Sequence, residues 1–332
     1  MITKDTSLFR EIPITKIENV KIGNAEDPES ATGVTVILCE QGAPCGLAIR
    51  GGGPAARESG VLDPIAACQE VHAVVLAGGS AFGLDAAGGV MEYLEERGYG
   101  FALGDIRVPI VPQSDIFDLM FVTHRVRPDK AMAKRACEAA EKNCPAEGNV
   151  GAGCGATVGK LGAPADCMNS GLGLYAVQMG ELKIGAVVAV NALGDVYDED
   201  TGKIVAGALT PDHKGFADGE KLLYQAGLAA QTAAPVGAAN TTIGCIITNA
   251  KFDKPALTKI AQLTHNGYAR AIRPVHTQND GDSIYALSVG DVAADIDLVG
   301  TLSARVMQQA ILNAVLHTES FHGLPAAKDL AF

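Results

Sequence analysis

The residues that could do chemistry are concentrated where two threonines follow an asparagine, at Asn240, Thr241 and Thr242. Small residues at 237–239 let the backbone bend there, and an apolar run from Ile243 predicts a buried strand. If the bond between Asn240 and Thr241 were cut, Thr241 would carry a free α-amine beside its own hydroxyl. Such an amine titrates at about 7.7–8.0 and can act as a general base. A threonine at a new N-terminus is thus an activated nucleophile.

Other interpretations of the chemistry-bearing residues are open or disfavoured. Thr241 and Thr242 could simply begin a core strand, since threonine is common in strands. A serine triad would want G-x-S-x-G, and a zinc peptidase H-E-x-x-H; the sequence has neither motif. The glycine-rich runs at 77–87 and 151–160 do not fit a phosphate-binding loop in spacing or context. The stretch 280–282 lacks the residue order of a calcium loop. We therefore expect no metal and no cofactor.

Composition and charge exclude several classes of partner. The chain has 332 residues, 48% of them hydrophobic, with 39 glycines and a formal net charge of −12. This charge argues against nucleic acid and anionic membranes as partners. The stretch Met1 to Asp5 lacks the apolar core of a signal peptide. The sequence has no run of 18 apolar residues, so we expect no membrane span. The eight cysteines form no C-x-x-C pair and favour buried free thiols in a reducing compartment, so we expect a cytoplasmic protein.

The hydrophobic pattern predicts the elements that must position the nucleophile. Residues 172–180 and 182–191 predict a hairpin whose second arm ends at Asn191, and a helix is expected over 255–268. The acidic, glycine-punctuated segment 194–202 is expected to be a loop, and an Ala-, Thr- and Pro-rich linker is expected to lead flexibly into Asn240. Strands and helices are interleaved without strict βαβ alternation, which favours a layered α/β sandwich.

Asn240-Thr241-Thr242-Ile243-Gly244, followed by Thr248-Asn249-Ala250, resembles the self-cleavage site of one enzyme family. The family comprises the L-aminopeptidase/D-amidase-esterases, the β-peptidyl aminopeptidases and the nylon-oligomer hydrolases. Further resemblance covers about residues 20 to 316 and is carried by Ala77–Ala87, Val108–Leu119, Arg273–Asp282 and the surroundings of Lys160 and Asn191.

The resemblance implies a fold and an assembly. The expected fold is a four-layer αββα sandwich of the N-terminal-nucleophile-hydrolase type. It would form a single domain over residues 1–332, self-cleaved into an α chain of residues 1–240 and a β chain of residues 241–332. The resemblance also implies a homo-oligomer, expected to be a tetramer.

The same resemblance implies roles for residues far apart in the sequence. Asn191 matches an asparagine that faces the nucleophile, and Lys160 matches a functional lysine of the nylon-hydrolase branch. Asp280-Gly281-Asp282 resembles that branch too, where two aspartates bear on the nucleophilic threonine; the aminopeptidases carry a Ser/Glu combination near this point. The expected mechanism is amide hydrolysis through an acyl-threonine, with Asn191 and backbone N–H groups stabilising the oxyanion.

The substrate class is predicted from Asp115 and Phe117. In the aminopeptidase branch, an acid near this position holds the substrate's free amine, two residues before an aromatic that lines the site. Asp115 and Phe117 have this spacing, so we expect an aminopeptidase-like amidase that releases N-terminal residues from peptides or small amides. Two alternatives are an endo-acting 6-aminohexanoate (nylon) oligomer hydrolase and an uncleaved, non-catalytic binding or scaffold protein.

Overall fold

Two β-sheets lie face to face in the computed structural model, which describes residues 8–229 and 240–330. The larger, sheet I, has six strands in the order β1 (Arg10–Glu11), β12 (Leu172–Met179), β13 (Leu182–Asn191), β16 (Thr241–Ala250), β18 (Ser283–Val292) and β4 (Cys45–Ile49). Sheet II has five, in the order β2 (Lys21–Asp27), β3 (Thr32–Ala43), β6 (Val71–Ala77), β9 (Gln113–Asp115) and β5 (Ala55–Arg57). Neighbouring strands are antiparallel, except that β16 and β18, and likewise β6 and β9, run parallel.

Smaller pairings and helices complete the described chain. The short pairings join β7 (Phe101–Leu103) to β8 (Ile106–Val108), β10 (Thr157–Val158) to β11 (Met168–Asn169), and β14 (Asp195–Asp198) to β15 (Lys203–Ala206) and β17 (Ile272–Arg273). The α-helices are α1 (Ala86–Glu95), α2 (Lys130–Ala140), α3 (Gly219–Ala229), α4 (Lys254–Ala271) and α5 (Ile296–Leu316). None of these helices is both long enough and apolar enough to cross a membrane.

The helices and sheets stack in four layers. Helices α4 and α5 pack on the outer face of sheet I, and α1 and α2 pack on the outer face of sheet II. Apolar side chains from the inner faces of both sheets fill the layer between them. Successive residues of a strand point to opposite faces, so each long strand contributes to two cores and is buried along most of its length. The αββα sandwich expected from the resemblance is confirmed.

Some local expectations hold and others do not. The hairpin is present as β12 and β13, and the helix expected over 255–268 is α4. The expected loop at 194–202 is instead interrupted by β14, which pairs with β15 and β17. The side chain of Asp195, the first residue of β14, is buried and accepts the backbone N–H groups of Ala208 and Gly219. The expected linker lies mostly at residues 230–239, outside the described residues.

Candidate active site

Thr241 is the first residue of β16, at the rim of sheet I. Its side chain shares a face of the strand with Ile243 and Cys245, because alternate residues of a strand point the same way. Those two residues pack into the layer between the sheets. The hydroxyl of Thr241 therefore faces the space between sheet I and sheet II. Thr241 and Asn240 are only 4% and 5% exposed in the continuous chain.

Two groups lie against the carbonyl oxygen of Asn240. The hydroxyl of Thr241 donates a hydrogen bond to it, and the backbone N–H of Gly281 donates another over 3.1 Å. A hydroxyl next to a carbonyl group can attack its carbon, and an N–H donor on the carbonyl oxygen stabilises the oxyanion that forms. This geometry suits cleavage of the Asn240–Thr241 bond by the chain itself.

Gly281 approaches the nucleophile more closely than any other residue type could. A Cβ at this position would lie 2.9 Å from Oγ1 of Thr241 and 3.0 Å from the carbonyl oxygen of Gly53. Both separations are shorter than carbon–oxygen contacts normally allow. The absence of a side chain thus lets the backbone N–H of Gly281 reach the carbonyl oxygen of Asn240.

Asp280 is a buried carboxyl group beside the Asn240–Thr241 bond. Its Oδ2 accepts hydrogen bonds from the backbone N–H of Thr277 over 2.8 Å and from the Thr277 hydroxyl over 2.6 Å. Burial raises the pKa of Asp280, and the negative charge of Asp282 raises it further, while the bonds from Thr277 oppose the shift. Asp280 also pairs with Asn240 in an isolated parallel β-bridge, so this acid has a fixed place next to Thr241.

Asp282 lies behind Thr241 and accepts hydrogen bonds from three N–H groups. Its Oδ1 accepts the backbone N–H of Thr242 over 2.8 Å. Its Oδ2 accepts the backbone N–H of His276 over 3.1 Å and Nδ1 of the same residue over 2.8 Å. Asp282 thus connects the residue after the nucleophile to the loop that carries His276.

Lys160 and Asn191 form a second cluster, on the β13 side of Thr241. Asn191 is directly opposite Thr241 in the register of β13 and β16. The ammonium group of Lys160 donates to both the backbone oxygen and the side-chain oxygen of Asn191, and the N–H of Thr157 also donates to the side-chain oxygen. Nδ2 of Asn191 donates to the carbonyl oxygen of Phe117 over 3.0 Å. Since only an amide nitrogen can donate to a carbonyl, these partners fix the orientation of the Asn191 amide.

The pKa of Lys160 is lowered from 10.5 to about 7. The main cause is the loss of hydration within the surrounding protein, which disfavours the charged form. Cys167, Asp280 and Asp118 act in the opposite direction. Lys160 therefore changes charge near neutral pH, next to the strand partner of Thr241, and such displaced titrations are typical of catalytic sites.

Asp115 is not brought to the nucleophile in this structure. Ser114 points into the layer between the sheets, where its hydroxyl bonds to the hydroxyl of Tyr285. Asp115 follows it in β9 and so points to the opposite face, against Gly83. There its Oδ1 accepts Nε2 of Gln113 over 2.7 Å, its Oδ2 has no partner among the described residues, and the residue is 1% exposed. Burial raises the pKa of Asp115 well above its usual range. The expected role in holding a substrate amine therefore gains no support from its position.

Sequence reasoning missed two groups at the site. Gly281 contributes a backbone N–H to the carbonyl oxygen of Asn240, and no side-chain motif reveals such a contact. His276 lies within the matching stretch Arg273–Asp282, and its only signal was a histidine six residues before an aspartate in a polar loop. Phe117 contributes its carbonyl oxygen to Asn191, and its ring is partly buried. Within residues 8–229 and 240–330, no group of three or more His, Cys, Asp or Glu residues has the arrangement of a metal site.

Residues 13–328 match peptidase family S58. The chain belongs to this family. Because peptidases hydrolyse peptide bonds, the chain is a hydrolase of peptide or amide bonds. The match extends on both sides of Thr241 and includes the Lys160 cluster and the aspartate loop.

Proteins similar to this chain carry two kinds of name. The chain is 37% identical to an uncharacterised aminopeptidase of Mycobacterium leprae, over 94% of this chain and 92% of that protein. It is 31% identical to a 6-aminohexanoate-oligomer endohydrolase of Paenarthrobacter ureafaciens, over 93% of this chain and 87% of that protein. The chain is therefore similar along most of its length to proteins named for exo-acting and for endo-acting hydrolysis.

Solved structures share the fold of this S58 peptidase. A β-aminopeptidase of a Burkholderia species matches 94% of this chain, and 90% of its own, with a TM-score of 0.69 at 18% identity. The L-aminopeptidase D-Ala-esterase/amidase of Ochrobactrum anthropi matches 94% of this chain, and 88% of its own, with a TM-score of 0.68 at 17% identity. The latter is described as a variant of the N-terminal-nucleophile hydrolase fold. At these identities the match supports the fold alone, and the expected fold class is confirmed.

Proposed function

We propose that this S58 peptidase cleaves its own chain between Asn240 and Thr241 and then acts as an aminopeptidase-like amide hydrolase with Thr241 as nucleophile. The observation that carries the proposal is the contact of the Thr241 hydroxyl with the Asn240 carbonyl, whose oxygen also accepts the N–H of Gly281. Its substrates are small peptides or amides, and its products are an amine and an acid.

Maturation begins when Oγ1 of Thr241 attacks the carbonyl carbon of Asn240. The hydroxyl proton passes to a nearby base, for which we assign Lys160 because its neutral form is well populated near pH 7. The N–H of Gly281 stabilises the oxyanion of the tetrahedral intermediate. The C–N bond then breaks and its nitrogen takes up a proton, which leaves an ester on Oγ1. Water hydrolyses this ester and releases the carboxyl group of Asn240 and the free amine of Thr241.

Turnover uses the amine that maturation creates. The α-amine of Thr241 accepts the proton of its own hydroxyl as Oγ1 attacks the substrate carbonyl, and the departing amine takes that proton. Water then hydrolyses the acyl-threonine. Asp280 and Asp282 orient the new N-terminus. The backbone and side-chain oxygens of Asn191 hold Lys160 in place, and one N–H of the Asn191 amide is bonded to Phe117.

A denaturing gel of the purified protein tests the proposed nucleophile. We expect two fragments, residues 1–240 and 241–332, and only the full-length chain from Thr241→Ala. Thr242→Ala is a matched control: the neighbouring hydroxyl is on the opposite face of β16 and has no hydrogen-bond partner in the described part of the chain, so this variant should still cleave. A parent that remains intact would instead favour the non-catalytic binding or scaffold protein, and cleavage of Thr241→Ala at the same bond would exclude Thr241.

An endo-acting oligomer hydrolase is the second candidate. It is favoured by Asp280-Gly281-Asp282, the pattern that resembles the nylon-hydrolase branch. The two candidates differ in their need for a free amine on the substrate. We expect faster cleavage of an aminoacyl p-nitroanilide than of its N-acetylated form, and the preference should persist in Asp115→Val because that carboxyl lies on the other face of β9. Equal rates on both substrates would favour the endo-acting enzyme.

A further inference from the structure

His276 is fixed in one orientation behind the nucleophile. Its ring lies against two rings of α4, with a T-shaped contact to His265 at 4.7 Å between centroids and a stacked contact to Tyr268 at 5.9 Å. Its Nε2 is buried and has no hydrogen-bond partner within residues 8–229 and 240–330. The hydrogen bonding of the ring is therefore directed to Asp282 through Nδ1, 2.8 Å from Oδ2.

The backbone of His276 reinforces this contact. Its φ of 59° is in the left-handed region, which is uncommon for residues other than glycine, although histidine, asparagine and aspartate adopt it more often than most. In this conformation the backbone N–H and Nδ1 reach the same carboxylate oxygen of Asp282. An uncommon backbone conformation that directs two donors to the same carboxylate indicates that the position of Asp282 matters for function.

The other carboxylate oxygen of Asp282 holds the strand that carries the nucleophile. Oδ1 accepts the backbone N–H of Thr242, which is covalently next to Thr241. A continuous chain of hydrogen bonds thus runs from the His276 ring through Asp282 to the first peptide unit of β16. Displacing the carboxylate would free the start of the strand, and a displacement of about 1 Å at a reacting group can cost about 10²-fold in rate.

We propose that His276 is a positioning residue for the nucleophile: through Asp282 it fixes the start of β16, so that the Thr241 hydroxyl stays on the scissile carbonyl. It does not touch the substrate, because its ring packs on the α4 side of sheet I whereas Thr241 faces sheet II. The inference rests on the proposed function and extends it, since the same contact serves both self-cleavage and later turnover.

Two substitutions separate the hydrogen bond from simple packing. In His276→Asn, the side-chain amide nitrogen is attached to Cγ as Nδ1 is, and asparagine tolerates a left-handed φ. This variant keeps the donor to Asp282 and loses most of the ring. In His276→Leu the donor is lost but apolar volume is kept. His265→Leu is the matched control, because it removes a neighbouring ring whose hydrogen bond goes to the carbonyl of Ala48.

The readout is the rate at which freshly synthesised chain splits, followed on a denaturing gel. A hydrogen bond to a charged group is worth about 1.5–3 kcal/mol, so His276→Leu should split about tenfold more slowly or worse. His276→Asn and His265→Leu should split at close to the parent's rate. In mature enzyme, His276→Leu should lower kcat on an aminoacyl p-nitroanilide and leave KM nearly unchanged. The same changes in the uncleavable Thr241→Ala chain, followed by thermal unfolding, identify variants that do not fold.

The outcomes distinguish this inference from the proposed function. A folded His276→Leu chain that splits at the parent's rate overturns the role of His276 and leaves Thr241 as nucleophile. Equal slowing of folded His276→Leu and His265→Leu also overturns it, because packing alone would then explain the loss. A parent chain that does not split, or a Thr241→Ala chain that does, overturns the proposed function and the inference with it.

Discussion

Deprotonation of Lys160 should govern the pH dependence of self-cleavage. Its pKa is about 7 because the surrounding protein removes its hydration, and only the neutral amine can accept the hydroxyl proton. The neutral fraction grows as pH rises through 7, so the rate of cleavage should rise over that range and level off above it. Gel time courses of freshly made chain at a series of pH values on either side of 7 measure this profile.

Two variants test whether Lys160 causes the rise in the cleavage rate near pH 7. Lys160→Met should cleave slowly at every pH and lose the rise near pH 7, whereas Lys203→Met, which changes an exposed lysine of β15, should keep the parent's profile. Stability gives a second readout: the folded chain binds fewer protons than the unfolded chain between about pH 7 and 10.5, so its unfolding free energy should gain a rising component in that window. In the uncleavable Thr241→Ala chain, Lys160→Met should lose that component. A Lys160→Met chain with the parent's rate profile would remove Lys160 as the base.

At the scale of residues, the sequence was informative where side chains carry the chemistry. Resemblance identified Lys160, Asn191 and the two aspartates, and the structure gathers them around Thr241. The position of Asp115 could not be predicted from spacing. Its distance from Phe117 in the sequence fits a substrate site, but the register of β9 turns Ser114 inward and Asp115 outward.

At the scale of elements, the start of β16 is organised by the loop that precedes β18. We expect Gly281→Ala to slow self-cleavage by about 10²–10³, the usual cost of one lost oxyanion donor. The reason is steric, since the new methyl group would lie 2.9 Å from the Thr241 hydroxyl and must push the loop or the nucleophile away. Gel time courses of the freshly made chain measure the effect.

A second glycine provides the control for this substitution. A Cβ at Gly60 would meet no atom of the described residues within 4 Å, and the backbone there has no left-handed φ. Gly60→Ala should therefore cleave at the parent's rate. A Gly281→Ala chain that folds and cleaves as fast as Gly60→Ala would show that the N–H of Gly281 is dispensable.

The same scale shows what local sequence could predict. The hairpin of β12 and β13 was predictable because two long apolar runs flank a short turn. The strand β14 was not, since its acidic residues predict a loop. Asp195 accepts two backbone N–H groups in the interior, and only tertiary structure supplies such partners for a buried carboxylate.

At the scale of the whole molecule, the four-layer fold was predicted from the family resemblance more than from the hydrophobic pattern of the sequence. Strands as short as Gln113–Asp115, in the middle of sheet II, leave almost no periodic signal. The face-to-face stacking of the sheets matters for function because it leaves the nucleophile at the rim of the buried layer between them. Asn240 is buried at that rim, so cleavage after it would create both the amine of Thr241 and a new carboxyl end beside it.

The proposed homo-oligomer, expected to be a tetramer, needs an apolar surface that the isolated chain leaves exposed. The hairpin of β7 and β8 offers one. Phe101 and Leu103 lie on one face of β7, Ile106 is directly opposite Leu103, and all three are more than half exposed. Exposed apolar groups on one face are typical of contact surfaces between proteins, and closed symmetric assemblies are the common form of homo-oligomer.

We therefore expect light scattering at micromolar concentration to give about four times the chain mass of 34.2 kDa. Leu103→Lys together with Ile106→Lys should lower this mass, because burying two unpaired charges in an interface is strongly unfavourable. Ala102→Lys is the matched control, since Ala102 pairs with Arg107 on the opposite face of the same hairpin and its substitution should leave the mass unchanged. A parent that scatters as a monomer would contradict the assembly, and a double variant that keeps the parent's mass would move the interface away from this hairpin.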